Sequence, residues 1–189
     1  MIYIPAVFVL ILLAFAIQEF LPVFDWLYHA RVLIVHTMFF CAAVTVPFPV
    51  MLLLALFTGF IWDARYYVPL GEEGELVFGF TVLLFGLAGS FIQGVRPLFR
   101  RGRWEFPVFL IGLAAFGVLL VEYLILSFER GGLYFPGEIW FKMLMTALFT
   151  MALSPLFLLL LSLLAKKVGY KIRMEGITHR VHHGDTLST

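Results

Sequence analysis

From Val32 to Trp62 the chain passes without one charged side chain, and four other stretches come close to that. Ile2–Ile17, Leu76–Val95 and Met143–Ala165 are uncharged, and Phe106–Phe128 is broken only by Glu122. A helix needs about 20 apolar residues to cross a hydrocarbon core about 30 Å thick. Apolar runs on this scale leave a chain of 189 residues little choice. Hydrophobic residues make up 62% and charged residues 13%, against roughly 45–50% and about 25% in soluble proteins. A soluble domain of this size has too much surface to hide that excess. The expected class is an all-α integral membrane protein, with the lipid bilayer as its first partner. A net charge of +1 offers no basic footprint for nucleic acid, and a single cysteine excludes a disulfide framework or a Cys-based metal site.

The long run sets the number of spans. As one helix it would measure about 46 Å at 1.5 Å per residue, too long without heavy tilt. Pro47-Phe48-Pro49 sits at its centre, and each proline removes a donor and disfavours helix in the residue before it. Two helices, about 30–46 and 48–62, are expected, giving six transmembrane helices; a single kinked helix, giving five, is the alternative. The first run has no basic residue before it and no small-residue cleavage site after it, so it reads as a retained span rather than a signal peptide. Basic residues orient the set. Arg96, Arg100, Arg101 and Arg103, with Lys166, Lys167, Lys171, Arg173 and Arg180, are nine of the 13. They lie in two segments separated by two spans, so both segments can face the cytoplasm. The acidic segment 63–75 and the mixed connection 129–138 then fall outside. Six spans place both termini in the cytoplasm. The expected organisation is one multi-pass domain, 1–167, and a polar cytoplasmic tail, 168–189.

Ionisable groups inside a membrane are candidates for function because they are costly there. Glu122 is the one so placed. It can be a ligand or proton site, or it can face the bundle and bond Tyr123 or a neighbouring helix; the second reading is favoured. His36, alone on an apolar helix, reads as a hydrogen-bonded packing residue. Two stripes repeat every four residues: Gly86, Ser90 and Gly94, and Thr146, Thr150 and Ser154. Small and hydroxyl residues at this spacing let transmembrane backbones approach and bond across. Packing within the protein's own bundle is favoured over a face for another protein. His179, His182 and His183 lack a carboxylate or cysteine to complete a metal site, so no metal or other cofactor is expected. No nucleophile-elbow, zinc-protease or phosphate-loop motif is present, and no enzymatic activity is expected.

One short pattern is more specific. Gly59-Phe60-Ile61-Trp62-Asp63 is followed by Pro69-Leu70-Gly71, at the junction of the third span and its outer loop. Gly59 permits close helix approach, Asp63 can bond freed backbone groups where the span ends, and Pro69 and Gly71 turn the chain. With the glycine-bearing span 79–94, the arginine-rich segment 96–103, the aromatic span 106–128 and the leucine-rich last span 143–167, this resembles the rod shape-determining protein MreD family. The resemblance implies a small inner-membrane scaffold of the cell-elongation machinery. It would act beside an MreC-type bitopic partner and the glycosyltransferase and transpeptidase of peptidoglycan synthesis, with no catalytic residue. It also implies a fold like the six-helix substrate-binding subunits of energy-coupling-factor vitamin transporters. That likeness supplies the alternative function, a subunit for small-molecule uptake. Against it, the first span has Ala6, Ala14 and Ala16 without an A-x-x-x-A pair, and few polar groups are available for a vitamin pocket.

Overall fold

The computed structural model describes residues 2–22, 30–65, 69–70, 74–75, 79–96, 105–129, 132, 136–170 and 172. The arginines of 100–103, the tail histidines, Lys171, Arg173, Arg180 and Gly71 lie outside the described residues. Six helices follow in order: α1 (Tyr3–Gln18), α2 (Ile34–Thr45), α3 (Phe48–Arg65), α4 (Phe80–Val95), α5 (Glu105–Glu129) and α6 (Gly137–Lys167). Between α3 and α4, Pro69–Leu70 (β1) pairs antiparallel with Gly74–Glu75 (β2). Three helices are long and apolar enough to cross a membrane: α3, α5 over Glu105–Phe128, and α6. The other three, α1, α2 and α4, are shorter apolar helices.

The uncharged run is two helices, and proline chemistry separates them. Val46 is extended, with φ −96° and ψ 162°, the conformation demanded of a residue before proline. Pro47 has no N–H to offer the carbonyl of Ala43, four residues back. The Gln93 side chain replaces it, its Nε2 donating to Ala43 O at 2.6 Å and to Val46 O at 2.8 Å. The chain then reverses: the His36 ring lies 4.5 Å from that of Trp62, pairing the start of α2 with the end of α3.

The same reversal recurs along the chain. Tyr3 Oη donates to Thr45 Oγ1 at 2.9 Å, while Gln18 sits at the start of α2, donating to Val32 O and accepting from Ile34 N, both at 2.8 Å. Helix α1 therefore runs antiparallel to α2. Gly59 meets Val82 and Gly89 meets Met51, so α3 and α4 are antiparallel. Gly112 meets Met151, and Phe116 stacks near Trp140, so α5 and α6 are too.

Helix α2 is the axis of the bundle. Every residue from Val35 to Val46 is buried. At 12 residues it is about 18 Å long, yet it meets protein rather than lipid, and backbone irregularity at membrane depth is tolerated where protein covers it. The surrounding helices present leucine and phenylalanine outwards: Leu52, Leu53 and Leu56 on α3, Leu83 and Leu87 on α4, Leu159 and Leu163 on α6. An apolar outer surface this extensive belongs in a bilayer, and the chain is a membrane protein.

Helix α6 carries Pro155 in its interior. The carbonyl that this proline leaves without an amide is Met151 O, and Ser154 Oγ donates to it at 2.8 Å. The helix ends at Gly169, whose φ of +67° suits a residue without Cβ. Tyr170 N then donates to Ala165 O at 2.8 Å and Gly169 N to Lys166 O at 3.3 Å, the two bonds of a Schellman ending. That turn swings the Tyr170 ring onto Tyr3, stacked at 4.2 Å. Packing against the core thus runs past Lys167, through Val168 and Tyr170 to Ile172.

Candidate functional site

The motif residues build a joint between α3 and α4. A Cβ on Gly59 would stand 2.6 Å from both Cα and N of Val82, so the two backbones touch where only glycine fits. One turn further along α3, Asp63 Oδ2 accepts from Gly79 N at 2.8 Å and from Thr81 N at 3.3 Å. Gly79, the residue that opens α4, has φ +97° and no side chain with which to cap it. Asp63 supplies that acceptor from another helix, and its negative charge is favourable at a helix N-terminus. Pro69 and Leu70 form one side of the small antiparallel pair beyond the joint.

Glu122 on α5 is half-buried. Glu122→Gln keeps an acceptor oxygen. The variant is expected to reach wild-type membrane levels and to keep wild-type function. Lost function at normal levels would assign the carboxylate an ionic role.

His36 departs from expectation. It is buried, but among the described residues neither ring nitrogen has a hydrogen-bond partner. Trp62 and Phe85 stand edge-on to it at 4.5 and 4.8 Å, with Phe40 at 6.4 Å. It is a packing residue held by aromatic faces, not by hydrogen bonds, because the apolar helices around it offer no acceptor at that position. An unpaired buried polar group costs about 1–3 kcal/mol. His36→Phe keeps the edge-to-face contacts and removes that cost, so its melting temperature is expected to equal or exceed that of wild type.

The two small-residue stripes part company. Thr146, Thr150 and Ser154 are buried, at 4%, 0% and 0% exposure. Two of their hydroxyls bond within the helix rather than across it: Thr150 donates to Thr146 O at 3.0 Å, and Ser154 to Met151 O. Across the interface it is Cys41 Sγ that reaches Ser154 O, at 3.5 Å. The stripe on α4 is not in the packed face: Gly86 and Ser90 are half-buried and Gly94 is exposed. A Cβ on Gly86 or Gly94 meets nothing within 4 Å, and Ser90 Oγ turns back to Gly86 O at 2.7 Å. The reason is register. Helix α4 buries Thr81, Leu84, Phe85, Gly89 and Ile92, so Gly89 is the glycine in contact and the stripe lies outside that face.

Two polar side chains, Gln93, which the sequence reading passed over, and Arg96, which it used only for orientation, organise the opposite end of the molecule. Gln93 and Arg96 close the exposed carbonyls of α2, with Arg96 Nη1 donating to Val46 O at 3.1 Å and to Gln93 Oε1 at 3.3 Å. Burial pulls the Arg96 guanidinium below the ordinary arginine value, with Tyr170 acting in the other direction. The signal for Gln93 was present as the donor missing at Pro47; its direction was not. At the Asp63 end, Arg65 pairs with Glu19 at 2.7 Å, both substantially exposed, a pair worth about 0–1 kcal/mol.

Among the described residues no group of three or more His, Cys, Asp or Glu side chains is placed to hold a metal ion. Compared with protein-family models, curated proteins and solved structures, the chain matches none.

Proposed function

We propose that this protein is a membrane scaffold of the bacterial cell-elongation machinery, of the MreD kind, acting through helix contacts with an MreC-type bitopic partner beside the peptidoglycan synthases. In this reading all six helices cross the cytoplasmic membrane, in an arrangement like that of the vitamin-transporter substrate subunits. Both termini are cytoplasmic, and the protein has no catalytic role. Support for the orientation comes from Tyr3 stacking on Tyr170, which brings the start of α1 and the turn after α6 to one end. Arg96, Lys166 and Lys167 lie at that end, as the positive-inside rule requires.

The observation that carries the scaffold reading is the outward face of α4. Gly86, Ser90 and Gly94 form a smooth strip beside the exposed Leu83, Leu87 and Phe91. Such a strip lets a second transmembrane helix approach closely, in contacts worth about 0.6–2 kcal/mol each. The Gly86→Leu/Gly94→Leu double variant is expected to melt like wild type but to lose an MreC-type protein on purification in mild detergent, and to fail to restore rod shape after depletion of the wild-type protein. Normal rod shape on depletion, together with tight vitamin binding by the purified protein, would overturn the scaffold in favour of uptake.

A further inference from the structure

We propose that Arg96 is the anchor of a phosphate-binding site at the end of the molecule where the start of α1 meets the turn after α6. A guanidinium presents its five donors as a planar fork. On Arg96, one side of that fork is committed: Nη1 donates to Val46 O and to Gln93 Oε1. These two bonds fix the plane of the group against the end of α2. The other side carries Nε and Nη2. Nε is buried and has no partner, and no carboxylate among the described residues pairs with the charge. A fixed guanidinium whose buried Nε is left unpaired lacks an acceptor there, and an oxyanion can fill that place with two oxygens in parallel bonds to Nε and Nη2.

The surroundings choose the oxyanion. Arg96 follows the last turn of the apolar α4, at the depth where a membrane helix meets phospholipid headgroups. Lys166 and Lys167, both exposed, close α6 at the same end and add positive potential. Tyr170, within electrostatic range of the guanidinium, is pinned by its stack on Tyr3 and brings a hydroxyl donor. The ligand class is a phosphate group bearing negative charge, carried by an anionic phospholipid or free in solution.

The test uses the purified full-length protein in a neutral detergent, titrated separately with phosphatidylglycerol, phosphatidylcholine and inorganic phosphate. Melting temperature and retained lipid by native mass spectrometry are the readouts. Phosphatidylglycerol is expected to raise the melting temperature and to be retained, and phosphatidylcholine is not. Arg96→Gln should weaken phosphatidylglycerol binding by about tenfold, the loss of one bidentate charged contact. Arg65→Gln, at the opposite end, should leave it unchanged. A response to phosphatidylglycerol alone assigns a lipid headgroup; an equal response to inorganic phosphate assigns a free phosphate. Where Arg96→Gln does not fold, Arg96→Lys keeps the charge and loses the fork, and the same direction of loss is expected. Equal responses to the two lipids, or undiminished binding by the Arg96 variants, would overturn the site.

Discussion

Gly59→Leu is expected to yield no folded protein, and Gly59→Ala a protein that survives extraction but melts well below wild type. The atoms opposing a new methyl are Cα and N of Val82, both at 2.6 Å. Carbon pairs rest at about 3.5–4.0 Å. Backbone atoms cannot rotate aside as a side chain can, so α3 and α4 must separate by roughly 1 Å for alanine. Overpacking of this kind costs about 1–3 kcal/mol. The separation also strains the joint one turn away, where Asp63 reaches Gly79 N at 2.8 Å. Leucine adds three more carbons to the same gap. Gly86→Leu, on the same helix pair but in open space, is the control and should melt like wild type. The measurement is melting followed by size-exclusion in one detergent. Gly59→Ala melting with wild type would mean that the two backbones do not touch.

Asp63→Ala carries the second large effect. It leaves the amides of Gly79 and Thr81 without the acceptor they share, and Gly79 has no side chain to take over. Loss of a helix cap costs about 0.5–2 kcal/mol, and hydrogen bonds to a charged group contribute about 1.5–3 kcal/mol. A destabilisation of about 2 kcal/mol is therefore expected, with faster amide exchange confined to the first turn of α4. Asp63→Asn should recover most of it. The amide oxygen still accepts. If Asn is as damaging as Ala, the negative charge at the helix end dominates over the hydrogen bonds themselves.

Much of the architecture was legible along the chain. The absence of charge from Val32 to Trp62 and the two prolines at its centre predict two helices, and α2 and α3 part at Val46-Pro47. That inference was safe because proline acts locally: a missing N–H and a steric conflict do not depend on the rest of the fold. The likeness of Gly59 and Asp63 to a helix-approach residue and a span-end acceptor was legible for the same reason. Their partners, Val82, Gly79 and Thr81, were not, since nothing local to α3 says which helix lies beside it.

The small-residue stripes show where sequence reading stops. Gly86-Ser90-Gly94 and Thr146-Thr150-Ser154 have the same spacing and invite the same interpretation. In a soluble helix the polar face would reveal which way each points. Here lipid is as apolar as the core, so burial leaves no pattern of hydrophobicity to read. The sequence by itself determined that the chain is helical, belongs in a bilayer, and breaks at Pro47. Only the tertiary structure decided that α2 is the enclosed axis, that the α4 stripe faces outwards, and that His36 sits among aromatic rings without a hydrogen bond. Composition and proline act within a few residues of the chain, whereas which apolar face meets protein and which meets lipid is settled by the fit of side chains between helices.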